Sequence, residues 1–490
     1  MSIKYLLKEW LSEKIFSWYN YHGDFMKRDL FKNTFIIAIG KFSTQVLSYF
    51  LLPLYTSILS TSEYGTYDLL VTISIFAIPL ITIMMEESMF RFLIDEETDK
   101  GKTKVISTAC IYVLIATLFW CLLAFTVLSI INYQYKTVFI IYLISAILMK
   151  LVNGISRGMS KIKIYSISNF ILGVLTIVLN ILFIAKFKWG VSGLLYSTVL
   201  ANLIACFFVF IKLRLWRLIN FKDFEMPRLK EMIKYSFPLV PNNISWYIIN
   251  ISDRIVVVSI LGSGVNGVYA IANKFPNILN SVSGFFHIAF KENASQAVKK
   301  DDYEKYYNSI YDTVHNAFIA VSLLIISFLP FVFSIFVKKA YIEAYNYIPF
   351  LVIAVYYGNM SVFYGNLFTA FKQSKIIGKS TIVGAIINLA VHLSLIYFVG
   401  IYAAIISTIV SNYVVSLYRK YKIREYVKLH PIKNYYLSIF MLALVTALYF
   451  VKNFYVNVIS LIITIVYVLI VNKDLIFDIQ KMIFKRKKTS

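Results

Sequence analysis

The chain has 490 residues, of which 59% are hydrophobic and 15% are charged, and its mean hydropathy is +0.71. A soluble protein of this length would be more polar, so the composition predicts a membrane protein with many spans and excludes a large soluble domain. The net charge of +24 does not indicate nucleic-acid binding, because Lys and Arg lie in short segments between apolar runs. The three cysteines are scattered in apolar segments, which predicts neither a disulfide framework nor a metal site.

Apolar runs long enough to cross the roughly 30 Å hydrocarbon layer follow one another along the chain. Ahead of them, apolar residues recur at helical spacing within residues 1–30, which predicts an amphipathic segment lying on the membrane surface. The sequence predicts about fourteen transmembrane helices, at 31–59, 66–90, 105–131, 137–156, 164–185, 191–211, 233–261, 266–290, 310–337, 345–371, 376–399, 401–418, 434–451 and 454–472.

The distribution of Lys and Arg predicts the orientation of these spans. With both termini inside, the inner segments carry 39 of these residues and the outer loops carry 6. Basic residues concentrate on the cytoplasmic side of membrane proteins, and the alternation requires an even number of spans. The composition, rich in Ile, Lys and Asn, is typical of an AT-rich bacterial genome. We therefore expect a multi-pass protein of the bacterial plasma (inner) membrane with both termini cytoplasmic.

Two patterns recur in the same order in both halves of the chain. The pattern Leu-x5-Gly-x-Tyr begins at Leu59 and again at Leu261, and Gly-x6-Ser-Thr-x3-Asn begins at Gly190 and again at Gly400. Each repeat contains six spans, so both repeats enter the membrane from the same side. The predicted fold is all-α, with two parallel six-helix bundles around a central cavity and two further C-terminal helices.

The repeats divide the chain into predicted segments. These are a cytoplasmic amphipathic segment at 1–30, an N-terminal bundle at 31–211, a cytoplasmic linker at 212–232, a C-terminal bundle at 233–418, a cytoplasmic loop at 419–433, two extra transmembrane helices at 434–472 and a basic cytoplasmic tail at 473–490. Proline within a span removes a backbone hydrogen bond and can kink the helix. The predicted hinges are Pro53, Pro79, Pro238 and Pro241.

The motifs that resemble a known family are Pro53 with LSTSEYGTYDL at 59–69, SMFRF around Arg91, NGISRGMSK at 153–161, SFPLVPNN at 236–243, the Asp253-Arg254 pair and LGSGVNGVYAIANK at 261–274. Over about residues 28–430 the chain resembles the polysaccharide flippases of the MOP superfamily, the Wzx-type transporters of lipid-linked oligosaccharides. The superfamily also contains lipid II flippases and multidrug exporters of the MATE type. The resemblance implies a twelve-span core, a V-shaped and partly cationic cavity, and transport by alternating access.

The substrate that this resemblance implies is an undecaprenyl-pyrophosphate-linked oligosaccharide, moved to the outer leaflet for O-antigen, capsule or another surface polysaccharide. Charge at membrane depth is costly and by default marks a site, and Arg suits phosphate. Asp253 and Arg254 are adjacent, so on a helix they point about 100° apart, one toward the cavity and one toward a partner span. The predicted substrate-binding residues are Lys41, Arg91, Arg157, Lys161, Asp253, Arg254 and Lys274. Interfacial anchoring is the competing explanation for Arg91, Arg157 and Lys161.

Acidic and titratable residues within the spans are candidates for coupling transport to H⁺ or Na⁺, which is the only cofactor-like requirement that we expect. They are Glu86, Glu87, Asp253 and His287. An alternative structural role for Glu87 is an ion pair with Arg91, four residues later on the same helix face. A buried histidine without a coupling role is the more common case for His287.

No Gly-rich phosphate loop, HExxH motif or nucleophile elbow is present, and the short predicted outer loops leave no place for a glycosyltransferase site. We therefore predict a transporter and not an enzyme, with no catalytic residue and no metal site. The expected partners are undecaprenyl-linked oligosaccharide, membrane lipids and a polysaccharide polymerase, and not nucleic acid. The alternatives are a lipid II flippase, a cation-coupled multidrug exporter, which would favour acidic cavity walls, and a non-transport scaffold, which would not need buried charge.

Overall fold

The computed structural model describes residues 49, 51–298, 302–473 and 477. The regular structure within these residues is helical, and the prediction of an all-α polytopic membrane protein is confirmed. A π-helix at Ile181–Lys186 extends α6. In chain order the helices are α1 (Leu52–Ile58), α2 (Thr61–Thr82), α3 (Met85–Asp95), α4 (Asp99–Ile130), α5 (Lys136–Gly158), α6 (Ile162–Asn180), α7 (Gly190–Lys212), α8 (Met226–Ser236), α9 (Leu239–Leu261), α10 (Ser263–Lys274), α11 (Asn277–Ala297), α12 (Tyr303–Phe336), α13 (Ala344–Ala370), α14 (Ser374–Val399), α15 (Tyr402–Ile423), α16 (Tyr435–Phe450) and α17 (Phe454–Val471).

Nine helices of the described residues are long and apolar enough to cross a membrane, and α2 is one of them. Three predicted spans are interrupted. The second predicted span breaks between α2 and α3, where Ile83 and Met84 both adopt left-handed φ angles of 49° and 52°. The seventh breaks at Phe237–Pro238, between α8 and α9, and the eighth breaks between α10 and α11, after Lys274.

Prolines lie at or near these breaks because they cannot donate the helical hydrogen bond. Pro79 lies inside α2, four residues before Ile83, and Pro238 is the residue immediately before α9. Pro241 lies in the first turn of α9 and Pro53 in the first turn of α1. These positions are compatible with the predicted hinges, which stay predictions. The third break contains Pro276, which is not among the predicted hinges.

The helix ends define two faces of the molecule. The turns of the face that we call charge-poor lie at 59–60, 131–135, 187–189, 262, 337–343, 400–401 and 451–453. The turns of the opposite face, which we call charge-rich, include those at 96–98, 159–161, 213–225, 371–373 and 424–434. The charge count of the sequence predicts that the charge-rich face is cytoplasmic.

The helices pack as two groups. In the first half, α7 packs against α5 and α6, and α3 packs against α5; in the second half, α15 packs against α13 and α14, and α11 against α13. One buried apolar core lies within the first half; the other lies mainly in the second half and also takes in Tyr64 of α2 and residues of α1. The helices α16 and α17 pack outside the second group against α12. The predicted division into segments stays a prediction, and the segment at 1–30 and most of the tail at 473–490 lie outside the described residues.

Arg419 ties together three helices of the second half. Its guanidinium is buried, with 1% of the residue exposed. It donates to the Ser380 and Thr381 hydroxyls of α14, at 2.8 and 2.9 Å, and to the carbonyl oxygens of Ser361 and Ile377, at 2.9 and 3.2 Å. A buried charge supported by this many hydrogen bonds fixes the register of α13, α14 and α15.

Arg419→Met is therefore expected to destabilise the protein by about 3 kcal/mol, because buried acceptors lose a charged donor. Thermal unfolding of the detergent-purified protein measures the effect as a lower apparent midpoint. Arg424→Met, at an exposed position just after α15, is the matched control and should leave the midpoint unchanged. Equal unfolding midpoints for the two variants would show that Arg419 does not stabilise the packing of α13, α14 and α15.

Candidate functional site

The two halves meet at the charge-poor face through α2 and α10. Gly65 and Gly267 lie in direct backbone contact: a Cβ on Gly65 would overlap the Ser263 carbonyl oxygen and lie 2.6 Å from the Gly267 nitrogen. Asn266 Nδ2 donates to the Gly65 carbonyl oxygen at 2.8 Å, and the Ser62 and Ser263 hydroxyls are 2.6 Å apart. Only glycine allows this approach, so the contact closes the space between the halves at this face.

The segment around α1 strengthens the closure. The Tyr341 hydroxyl donates to the carbonyl oxygens of Leu59 and Ser60 at 3.1 and 2.8 Å. The Thr56 hydroxyl donates to the Phe336 carbonyl oxygen at 3.1 Å. These bonds join α1 and its following turn to the second half.

Toward the charge-rich face the central helices diverge. There α3 packs against α4, α5 and α8, whereas α11 packs against α12 and α13 of its own half. The linker helix α8 is held to the first half: Arg228 lies 2.7 Å from Glu96, and Lys104 lies 2.5 Å from Glu225. The hydrogen bond from Lys104 lowers the pKa of the Glu225 carboxyl. The result is a cleft closed at the charge-poor face, between halves that separate toward the other.

An ion pair crosses between the halves just below the glycine contact. Arg254 Nε on α9 lies 2.6 Å from Asp68 Oδ2 on α2, and less than a fifth of either side chain is exposed. Asn266 Nδ2 is also within 3.5 Å of the same carboxylate oxygen. Lys274, at the end of α10, lies within electrostatic range of both Asp68 and Arg254. This group, which we call the gate cluster (Asp68, Arg254, Asn266 and Lys274), carries two cations and one carboxylate.

Asp253 points in the opposite direction, into the second half. Only 2% of the residue is exposed. The Thr408 hydroxyl donates to Asp253 Oδ2 at 3.0 Å, and His392 Nδ1 lies 3.1 Å from Oδ1. His392 is fully buried on α14. Both adjacent residues thus contact other helices, Arg254 in the first half and Asp253 in the second. That one of them faces the cavity stays a prediction.

A second group of charges lies in the first half, toward the charge-rich face. Glu86 accepts from the Thr82 hydroxyl at 3.0 Å and lies 3.9 Å from Lys150 Nζ on α5. Glu87 lies 3.3 Å from Arg157 Nη1, also on α5. The alternative that Glu87 pairs with Arg91 is wrong, because Glu87 turns toward α5 and Arg91 pairs with Asp95, one turn further along α3.

Comparison with known proteins decides the family. A family model described as "polysaccharide biosynthesis protein" matches residues 30–289, more than half of the chain. The chain belongs to this family. The sequence has no significant match among curated proteins.

Solved structures show the same fold. A structure of the lipid II flippase MurJ in an inward closed conformation matches with a TM-score of 0.71 at 15% identity, covering 89% of this chain and 99% of that one. An inward-facing MATE multidrug transporter of the MOP superfamily matches with a TM-score of 0.66 at 17% identity, covering 79% and 98%. This member of the polysaccharide biosynthesis family thus has the fold of MOP-superfamily transporters. That it is a transporter rather than an enzyme stays a prediction.

An outward-facing MATE transporter also matches, with a TM-score of 0.54 at 16% identity, covering 81% and 96%. In this chain the glycine contact closes the charge-poor face.

The remaining predicted residues lie apart from the gate cluster. Arg91 is nearly half-exposed beside Asp95, and exposed Lys161 directly precedes α6. His287 Nδ1 lies 3.3 Å from Asn366 Nδ2 of α13. Lys41 lies outside the described residues. Three residues that the structure adds are Asp68, Lys150 and His392.

Sequence signals existed for two of these three residues. His392 follows Asn388 by four residues, on the same face of an apolar helix, and Lys150 lies deep within a predicted span. Asp68 is one residue beyond the repeated Leu-x5-Gly-x-Tyr pattern and offered no signal of its own.

Proposed function

We propose that the protein is a flippase that moves undecaprenyl-pyrophosphate-linked oligosaccharide from the cytoplasmic to the outer leaflet of the bacterial plasma membrane, for O-antigen, capsule or another surface polysaccharide. The observation that carries the proposal is the gate cluster, in which Arg254, paired with Asp68 across the halves, and Lys274 lie at the closed end of the cleft. Two cations at membrane depth provide donors for an anionic diphosphate. Membership of the polysaccharide biosynthesis family supports the same cargo.

The gate cluster offers a way to link binding to opening. A diphosphate that enters from the charge-rich face competes with Asp68 for the guanidinium of Arg254. Once Arg254 binds the diphosphate, the cross-half ion pair is lost and the closed state loses its main charged contact. The glycine contact then separates, the head group leaves at the outer face, and the undecaprenyl tail stays in lipid. In this scheme both termini are cytoplasmic, and a polysaccharide polymerase takes up the product outside.

We assign the coupling ion to Asp253 and His392, and we propose that it is a proton. An imidazole 3.1 Å from a buried carboxylate provides two groups that can share a proton, whereas a protonated imidazole would repel a metal cation. Thr408 fixes the other carboxylate oxygen. The pair lies one residue from Arg254, so a change in its charge acts directly on the gate cluster.

His392→Gln is expected to remove the response of transport to a proton gradient and to slow transport about tenfold, because the buried Asp253 carboxylate loses the basic partner that lies 3.1 Å from it. Uptake into vesicles with an imposed pH gradient measures both effects. His430→Gln, on the exposed loop after α15, serves as the matched control. A variant that still follows the proton gradient, or a wild type driven by a sodium gradient instead, would overturn the assignment.

Arg254→Gln and Lys274→Gln test the cargo site in cells. Each should lower surface polysaccharide at least tenfold at unchanged protein level, because each removes a charge-assisted contact with the diphosphate. Lys422→Gln, which removes a half-exposed cation paired with Glu425, should leave the polysaccharide unchanged. Normal surface polysaccharide in both site variants would exclude this cargo site.

A lipid II flippase is the second candidate, favoured by the extensive match to MurJ, although that likeness concerns the fold alone. Lipid II presents the same kind of diphosphate, so gene deletion separates the two. Loss of surface polysaccharide in viable cells supports the first function, and lysis with lipid II accumulation supports the second. The two cations of the gate cluster argue against a carrier of cationic drugs.

A further inference from the structure

Two carboxylate–cation pairs on α3 and α5, beside α6, are not used by the mechanism above. Glu86 faces Lys150 and Glu87 faces Arg157; we call the surface that these four side chains form the groove. The groove lies in the first half, on the charge-rich side of the break at Ile83–Met84. Along the helix axes it therefore lies between that face and the gate cluster.

Small residues bring the carboxylates to α5. A Cβ on Gly154 would lie 2.9 Å from the Glu86 carbonyl oxygen, and one on Gly158 would lie 2.8 Å from Leu93 Cβ. A Gly-x3-Gly spacing lets two helices approach at backbone distance in a membrane. The helix break places Glu86 and Glu87 in the first turn of α3, where carboxylates are favoured by the helix dipole.

The cations form a row on one face of α5. Lys150, Asn153 and Arg157 are spaced by three and four residues, which places them on one side of the helix. Asn153 Oδ1 accepts a hydrogen bond from Asn169 Nδ2 of α6 at 3.2 Å. The row and Asn169 thus place two cations and two amides near two carboxylates.

The two ion pairs are loose. Their separations are 3.9 and 3.3 Å, and the side chains of Lys150, Arg157 and Glu87 are 43%, 35% and 37% exposed, whereas that of Glu86 is 11% exposed. The gate pair, by contrast, is at 2.6 Å and mostly buried. Partly exposed ion pairs add little to stability. Carboxylate and phosphate oxygens accept from the same donors, so a phosphate would compete with Glu86 and Glu87 for Lys150 and Arg157.

We propose that this groove is a diphosphate-binding site through which the cargo passes before it reaches the gate cluster, with Glu86 and Glu87 as internal substitutes for the ligand. In the empty groove the carboxylates neutralise Lys150 and Arg157; an arriving diphosphate displaces them. The lipid-carried source of the diphosphate rests on the proposed function. Because the carboxylates compete with the diphosphate for these cations, the groove binds the head group less tightly and can release it toward the gate cluster.

The test compares binding to the full-length protein in nanodiscs, with farnesyl diphosphate and inorganic pyrophosphate as probes. Glu86→Gln and Glu87→Gln should each bind the probe about two- to fivefold tighter, because a competing anion is removed. Lys150→Gln and Arg157→Gln should bind at least tenfold more weakly. Glu425→Gln, which removes a half-exposed carboxylate paired with Lys422 elsewhere, should not change affinity.

Tighter binding of the probe by Glu86→Gln and Glu87→Gln than by the wild type would support the proposal, since a misfolded variant cannot bind more tightly. If both variants bind the probe as the wild type does or more weakly, Glu86 and Glu87 do not take the place of the diphosphate in the empty groove. Similar affinities for the two probes would show that the groove recognises the diphosphate alone. Binding of farnesyl diphosphate without binding of pyrophosphate would show that it also recognises the lipid. Either result supports the site. Surface polysaccharide in the deletion strain is a separate readout, so the inference can fail while the proposed function stands.

Discussion

Gly65→Ala is expected to open the charge-poor face and abolish transport. The added Cβ would overlap the Ser263 carbonyl oxygen and lie 2.6 Å from the Gly267 nitrogen, and both are backbone atoms that cannot rotate away. Overpacking of this kind costs about 1–3 kcal/mol. Because about 1.4 kcal/mol is a factor of ten, the closed state should lose roughly ten- to a hundredfold in population.

Spin labels at Gln134 and Lys339 report this change, since they lie at exposed positions of the charge-poor face on opposite halves. The three native cysteines are first replaced by alanine. Gly65→Ala should add a population at longer distance. Gly378→Ala is the matched control, because nothing lies within 4 Å of its Cβ position. A distance distribution that matches the unsubstituted protein, with normal transport, would show that α2 and α10 do not form the gate.

Arg254→Gln is expected to open the same face and also to abolish cargo binding. Removing one partner of a buried ion pair costs about 3–5 kcal/mol, and here that cost falls on the closed state, in which Asp68 is paired across the halves at 2.6 Å. The same labels should report a longer distance, and transport should fall below detection.

Exchange of the two charges separates closure from cargo binding. The double variant Asp68→Arg with Arg254→Asp restores an ion pair between α2 and α9, so the short distance should return. Transport should stay low, because the cation has moved to the other half. Recovery of neither distance nor transport would mean that the pair does not hold the gate, and full recovery of both would mean that Arg254 has no separate role in binding.

The sequence predicted the parts of this site that depend on one helix. The repeated Leu-x5-Gly-x-Tyr pattern marks Gly65 and Gly267, which form the contact between the halves. Helical geometry alone predicts that Asp253 and Arg254 diverge. Composition and apolar length predict the all-α membrane fold, because the lipid leaves few other ways to satisfy the backbone.

The choice of partners could not be predicted, because it depends on the register between distant helices. His392 meets Asp253 only because α9 packs against α14. Glu87 pairs with Arg157 rather than with Arg91 because Gly154 and Gly158 allow α3 to pack closely against α5. The break at Ile83–Met84 is also hidden, since neither residue is a typical helix breaker, and Pro79 lies four positions earlier.

Translocation in a purified system tests the central claim most directly. The protein is reconstituted in liposomes that carry a fluorescent undecaprenyl-pyrophosphate oligosaccharide, and a membrane-impermeant reagent measures how fast the glycan changes leaflet. We predict that the wild type accelerates translocation over empty liposomes, and that Arg254→Gln and Lys274→Gln reduce it at least tenfold, while Lys422→Gln does not. No acceleration by the wild type, or equal acceleration by all variants, would contradict a flippase that carries its cargo through the gate cluster.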